Sequence, residues 1–396
     1  MTVPFIDLKP QYETIRAQCE PKLHEIAASQ YFVLGPEVAA FEKEVGEYLG
    51  VKHGVGCSSG SDALLLALMA LDLKPGDQVL CPSWTFFATA GAISRLGLEP
   101  VFVDIDPVTY NMCPQATEAA LATCTRAKAL LPVHIYGLPA DVDAFLEIGK
   151  RHNLPVIEDC AQSIGAKDAT GAMTGTRCTM GTWSFFPTKN LGCFGDGGLV
   201  SANDDRLGDY LRMARVHGSK QRYVHEFVGV NARLDALQAA ILRIKLPLLE
   251  RWHAARIANA DAYDAIFRSA GGRCTSCAWD ESSLQLRFPW RPAAPARAIV
   301  NQYVLRVPAA IRDEARDFMK ERGVGTEIYY PIPLHLQQCW AHLGQGAGSL
   351  PETERAANET IALPIFPELG MERLRYVAQT LVQFVESKSR TFAAAR

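Results

Sequence analysis

Gly181-Thr-Trp-Ser184-Phe-Phe-Pro187-Thr-Lys189-Asn-Leu-Gly192-Cys-Phe-Gly195-Asp-Gly197-Gly198 sets one lysine between an aromatic, strand-like run and a cluster of glycines. A protonated lysine amine is a poor nucleophile. One used in Schiff-base chemistry therefore sits where burial or neighbouring cations lower its pKa. Trp183, Phe185, Phe186 and Phe194 are expected to supply that burial. Gly192, Gly195, Gly197 and Gly198 are expected to permit positive φ and a close approach of backbone to a flat ligand. Taken by itself, the stretch also fits a glycine-rich hairpin carrying a solvated lysine.

A second stretch, Leu154-Pro-Val-Ile-Glu158-Asp159-Cys-Ala-Gln162-Ser-Ile-Gly165, is a short apolar strand ending in acids. Ligands in α/β sheets sit at the carboxyl ends of strands. Pyridoxal phosphate (PLP) chemistry needs a lysine for an imine and a carboxylate on the ring nitrogen. Lys189 and Asp159 are the candidates for those two roles.

Upstream, Gly54-Val-Gly-Cys-Ser58 reads as a strand, and Ser59-Gly60-Ser61-Asp62 opens a helix whose Ala63, Leu64, Ala67, Leu68 and Leu71 recur at helical spacing. Such a turn presents free N–H groups and a positive dipole end to an anion, as a phosphate cradle does. Ser61 as a plain N-cap is the other reading. Gln78-Val-Leu-Cys-Pro82 is a further strand, and Ser83-Trp84-Thr85-Phe86-Phe87 puts aromatics where a helix begins, either as core or as a stacking surface. Strand-like runs at 100–104, 129–133 and 155–159 alternate with helical stretches near 86–97, 114–124 and 141–152. That alternation implies βαβ units and an α/β fold with a mostly parallel sheet. His134-Ile-Tyr136-Gly137 follows one strand end and is a candidate border of the site, with His134 itself expected to be a packing residue.

After the lysine, 198–202 reads as a strand returning antiparallel, and 205–215 as a charged helix. Gly229-Val-Asn231-Ala-Arg233-Leu-Asp235-Ala-Leu-Gln238-Ala-Ala opens a long helix, with Asn231 as its cap and Arg233 paired with an acid in the plain reading. Pro247 should kink or end that helix. It places a boundary between a large domain, 1–246, and a smaller α+β carboxyl-terminal domain, 247–396. Residues 269–298 read as an irregular excursion, followed by a strand at 303–307 and a helix at about 310–322. Residues 3–8 fit a buried strand.

A chain of 396 residues accommodates two domains with a full core in the larger. Net charge of −3 argues against a nucleic-acid-binding surface, so a phosphate-bearing ligand must be held by local donors. The 11 cysteines lack framework spacing and no amino-terminal signal segment is evident, which reads as reduced thiols in a cytoplasmic protein. Cys274-Thr-Ser-Cys277 is the one CxxC, and no further ligands nearby complete a zinc site, so no metal is expected. No apolar run approaches the roughly twenty residues needed to span a bilayer.

Ile157-Glu-Asp-Cys-Ala-Gln162, Ser184-Phe-Phe-Pro-Thr-Lys189-Asn-Leu-Gly and Gly229-Val-Asn231-Ala-Arg233-Leu-Asp-Ala-Leu-Gln238-Ala-Ala together resemble the DegT/StrS-type (DegT/DnrJ) nucleotide-sugar aminotransferases, PLP enzymes of fold type I. The resemblance runs from Pro4-Phe-Ile-Asp7-Leu to the last helix. It implies that Lys189 anchors the cofactor and serves as general base, and that Asp159 holds the pyridinium. By the same resemblance, Phe86 stacks on the ring, Gln162 bonds its phenolic oxygen, and Gly60, Ser61 and Ser184 hold the phosphate. Asn231 is implied to reach the phosphate of the neighbouring subunit, which makes the protein a homodimer with shared sites. Arg233 and the loop carrying Tyr329, Tyr330 and His335, reached across the dimer, are implied to hold a nucleotide-linked sugar. Relatives that handle acidic sugars carry histidine at the position of Tyr329, so a uronate substrate does not transfer.

The implied reaction passes an amino group from glutamate, through the pyridoxamine form of the cofactor, to a keto-sugar nucleotide, with a 3-ketone favoured and a 4-ketone possible. Three alternatives stand beside it. A PLP-dependent sugar dehydratase would carry histidine in place of Lys189; an aminocyclitol aminotransferase shares the chemistry; a non-catalytic sensor of this fold would have lost Lys189 or Asp159.

Overall fold

A computed structural model describes residues 1–278 and 284–394, the last six as backbone only. Its large sheet is built from β1 (His53–Cys57), β2 (Gln78–Pro82), β3 (Glu99–Val103), β4 (Ala127–Leu130), β5 (Ile157–Asp159), β6 (Met180–Ser184) and β7 (Gly198–Ala202). Two ladders, β3-β2-β4 and β5-β6-β7-β1, are joined by isolated parallel bridges from Leu130 to Val156 and from Val133 to Asp159. Only β7 runs against its neighbours, pairing antiparallel with both β6 and β1. The sheet is therefore mostly parallel, in the fold type I arrangement. The parallel strands deliver the ends of β1, β2, β5 and β6 to one edge of the sheet, where β7 begins.

Helices cover both faces, as burial of parallel strands requires. They are α1 (Lys9–Ser29), α2 (Pro36–Leu49), α3 (Gly60–Met69), α4 (Phe87–Arg95), α5 (Pro114–Leu121), α6 (Val142–His152), α7 (Asp205–Ala214) and α8 (Ala236–Lys245). α6 shows how the sequence sets these boundaries. Val142, Phe145, Ile148 and Gly149 form its buried stripe, and the Asp141 side chain caps it by accepting from the Ala144 amide at 3.1 Å. Asn153 ends it in the left-handed conformation at φ 54°.

Pro247 lies in a 3₁₀ turn, Leu246–Leu248, that separates α8 from α9 (Leu249–Ser269). A hairpin, β8 (Ser219–Gln221) and β9 (Val224–His225), precedes α8. The carboxyl-terminal part carries a second sheet in the order β10 (Arg273–Cys274), β11 (Arg287–Phe288), β12 (Tyr303–Arg306), β13 (Thr360–Leu363). α10 (Ala309–Glu321), α11 (Pro351–Glu359) and α12 (Met371–Ala394) complete it. The stretch 269–298 is thus not wholly irregular, since β10 and β11 lie in it; its residues 279–283 fall outside the described residues. Of residues 3–8, Val3 alone pairs, in a parallel bridge with Val324, and it is buried in the carboxyl-terminal core.

Candidate active site

A cavity of about 460 Å³ opens at the edge where the parallel strands end. Gly60, Ser61, Phe86, Asp159, Gln162, Ser184, Lys189, Tyr329 and Tyr330 all line it. Asp159 ends β5, and its backbone is fixed by bonds to Pro132 and His134 on the neighbouring chain segment, at 2.9 and 3.0 Å. Its carboxylate accepts from the Ala161 amide at 3.1 Å and from the Thr89 hydroxyl at 2.8 Å, with Thr85 behind Thr89 at 3.0 Å. Burial pushes the Asp159 carboxyl above the usual range, while these donors and the charge of Lys189 pull the other way. A buried carboxylate in that condition is matched by a cation, such as a ring N–H⁺, brought to it.

Glu158 points away from the cavity and is held by His134 at 2.8 Å and by the Gly175 amide at 2.9 Å. Burial alone would raise its carboxyl, but these bonds hold it below the usual range. His134 is the packing residue that the sequence suggests.

Lys189 sits on the turn after β6, its amide donating to the Phe186 carbonyl at 2.8 Å. Burial of its ammonium pushes the pKa down to about 8, against the opposing charge of Asp159. Of the four aromatics expected to bury it, only Phe186 lines the cavity. Trp183 and Phe185 are in the core beneath, and Phe194 packs against Tyr12 and Lys245. The amine is instead buried in a cavity whose wall also includes Tyr329 and Tyr330. Because only the neutral amine attacks an aldehyde, capture of PLP by cofactor-free protein should quicken about tenfold per pH unit up to about 8 and level off above it. Stopped-flow absorbance at a series of pH values checks this; a flat profile across that range contradicts it.

The glycines act by close approach and not by φ: none of Gly192, Gly195, Gly197 and Gly198 lies at positive φ. A Cβ on Gly198 would stand 2.3 Å from the Ser59 carbonyl, and one on Gly60 would stand 2.5 Å from the Ser184 Cβ. The start of α3 is thereby pressed against the ends of β6 and β7. Ser59, not Ser61, caps α3, accepting from the Asp62 amide at 3.1 Å. The first two amides of the helix and the Ser61 hydroxyl make no hydrogen bond among the described residues. Together with Ser184, they form an anion cradle of the kind a phosphate takes.

Phe86 is 59 % exposed, with a face open to the cavity. Gln162 accepts from the Tyr136 amide at 2.6 Å and donates to the Tyr330 hydroxyl at 3.2 Å. Tyr329 and Tyr330 belong to the wall of this same chain's cavity, so that part of the loop is not reached across a dimer. His335 is not brought there. It is 2 % exposed, and its ring nitrogens contact Ser83 at 2.7 Å and Glu354 at 3.2 Å, which makes it a strut within the chain. Asn231 and Arg233 also lie away from this cavity. Asp235, not Asn231, is the N-cap of α8, and Arg233 has no ion pair among the described residues.

Sequence reasoning overlooked Thr85 and Thr89 as parts of the site. Their spacing of four residues across the turn that opens α4 was the available signal. Tyr136, in the stretch the sequence places at the border of the site, stands behind the wall: its hydroxyl accepts from Trp84 at 2.7 Å and donates to the Tyr329 carbonyl at 2.5 Å. Thr89, Asp159, Gln162, the α3 amides and Lys189 supply a cation partner, an anion cradle and an amine around one cavity, and so fit PLP.

The sequence profile of the DegT/DnrJ/EryC1/StrS aminotransferase family matches residues 13–382. The chain belongs to this family. It is a PLP-dependent transaminase, and PLP is its cofactor. It is 46 % identical over 384 residues to a protein of Geobacillus stearothermophilus named pleiotropic regulatory protein, covering 97 % of this chain and 99 % of that one. It is 40 % identical to the UDP-N-acetyl-3-dehydro-alpha-D-glucosamine 3-aminotransferase of Acidithiobacillus ferrooxidans, covering 96 % of this chain and 97 % of that one. Among solved structures, that of Streptomyces venezuelae DesV superimposes with a TM-score of 0.89 at 38 % identity, over 97 % of this chain and 99 % of that one. No helix among the described residues is long and apolar enough to cross a membrane.

Proposed function

We propose that this transaminase aminates a keto-sugar carried on a nucleotide, a 3-ketone before a 4-ketone, with glutamate as amino donor. The observation that carries the reading is the pairing of Lys189 with Asp159 in one cavity, in a chain 40 % identical to a 3-aminotransferase of a UDP-sugar. When bound, PLP supplies the electron sink that amino transfer needs. Lys189 anchors its aldehyde carbon and, once released, moves the proton at the reacting carbon of the substrate. Asp159, steadied by Thr89 and Ala161, keeps the ring nitrogen protonated. Gln162 would bond the ring oxygen, Phe86 would cover one ring face, and Gly60, Ser61 and Ser184 would hold the phosphate. A second cleft, of about 840 Å³, adjoins the cavity at Ser61, Phe86 and Ala88, which supports a co-substrate as bulky as a nucleotide-sugar.

The site is also proposed to be completed by a second copy. Asn231 is exposed and caps no helix, and Arg233 lacks an acid partner among the described residues, so both are available to a neighbour. One observation favours a second role, the regulatory name of the Geobacillus relative. The retention of Lys189 and Asp159 argues that catalysis is kept whatever else the protein does.

Purified protein, PLP, glutamate and a UDP-linked 3-keto sugar should release 2-oxoglutarate in step with an amino-sugar product, followed by mass spectrometry. A deoxygenated sugar without amination defeats this reading in favour of a dehydratase.

A further inference from the structure

Two polar side chains of α8, Gln238 and Lys245, take no part in the chemistry assigned above. Seven residues apart, they project from one face of the helix. Both reach the backbone of the loop that leaves Lys189. Gln238 Oε1 accepts from the Phe194 amide at 2.8 Å, and its Nε2 lies 3.5 Å from the Phe194 carbonyl. Lys245 Nζ donates to the Gly192 carbonyl at 2.5 Å and stands 5.0 Å from the centroid of the Phe194 ring.

Lys245 is only 4 % exposed, and no carboxylate pairs with it among the described residues. Burial pushes its ammonium down to about 8, with only the thiols of Cys193 and Cys19 acting against that. A buried cation without an anion is costly, and an apolar residue of the same length would fill the place at less expense. What an apolar residue cannot do is grip the Gly192 carbonyl.

Apart from Asn190, whose buried side chain donates to the Ile299 carbonyl at 3.3 Å, the hydrogen bonds of the loop turn back on itself. Lys189 bonds back to Phe186 and Cys193 to Phe185, at 2.8 and 2.9 Å, and a Cβ on Gly192 would stand 2.4 Å from the Pro187 carbonyl. Residues 186–193 thus form one turn, and its exit is tied to α8 at Gly192 and Phe194. We propose that Gln238 and Lys245 are positioning residues, clamping residues 192–194 and so fixing the turn that carries Lys189. Placement matters here, since a displacement of about 1 Å in a reacting group costs on the order of a hundredfold in rate.

The test reads the loop through Cys193, which is 1 % exposed with its thiol against the carbonyls of Phe185 and Gly195. In the holoenzyme, Lys245→Met should raise the rate of Cys193 alkylation, followed by peptide mass mapping, by about tenfold, the size expected for losing one buried charged hydrogen bond. It should also shift the midpoint of the pH titration of the visible absorbance of lysine-bound PLP. Lys245→Arg, for which the adjoining cavity of about 200 Å³ leaves room, should restore most of the protection. Wild-type alkylation together with a wild-type absorbance midpoint in Lys245→Met overturns the proposal, whatever happens to its melting temperature. Should Lys245→Met fail to fold, Gln238→Leu takes its place in both measurements, and wild-type values for the two overturn the proposal in the same way.

Discussion

Lys189→Ala should lower the rate of amino transfer by about ten-thousandfold, the upper end of what a positioned general base contributes, since the same amine also anchors the cofactor. The cavity wall holds no second lysine among the described residues, so nothing nearby replaces the lost amine. The start of α3, Ser184, Gln162 and Asp159 remain in place, and PLP should still bind non-covalently. The two effects separate by measurement. Steady-state release of 2-oxoglutarate should fall to near background, while equilibrium dialysis still finds PLP on the protein and the absorbance of lysine-bound PLP is gone. Absorbance spectra identical to the wild type would remove Lys189 from its role.

Asp159→Asn is the next largest expected effect. A charge-assisted bond of this kind is worth roughly 1.5–3 kcal/mol, which converts to a loss of about a hundredfold in turnover when the bond strengthens as the reaction proceeds. An amide keeps the shape and the contacts to Thr89 and Ala161 but cannot hold a proton on a ring nitrogen. A second, independent sign comes from Lys189. The carboxylate of Asp159 raises the pKa of that amine against burial, which has brought it down to about 8. Removing the charge leaves burial unopposed and should move the pH midpoint of PLP capture below that value. The fold should persist, because the amide has the same shape and can keep bonds to Thr89 and Ala161. Unchanged turnover in Asp159→Asn, or a capture midpoint that moves upward, contradicts the assignment.

Much of the site is legible in the chain because several of its residues occupy positions that local rules mark. Asp159 is the last residue of an apolar strand, Lys189 follows a second strand by a few residues, and Gly60 and Ser61 open a helix after a third. Strand ends and helix starts are set by neighbours in sequence, so they can be read from it. Errors arose where the outcome hangs on distant partners. The sequence leaves open which of two serines caps α3, and the fold gives that role to Ser59, leaving Ser61 to the cradle. None of the lysine-loop glycines takes positive φ; at Gly192 and Gly198 the demand is close approach to the carbonyls of Pro187 and Ser59. His335 is drawn inward by Ser83, 252 residues away, and leaves the cavity to Tyr329 and Tyr330.

Sequence by itself determined which elements form and which reactive groups stand at their ends: a lysine after β6, an acid closing β5, a glycine–serine helix start after β1. Tertiary structure alone decided that these ends share one edge, because the parallel pairing of β4 with β5 and the insertion of antiparallel β7 between β6 and β1 are contacts between remote segments. It also decided the acidity of Lys189, which depends on how much water the surrounding chain excludes and on one carboxylate thirty positions earlier.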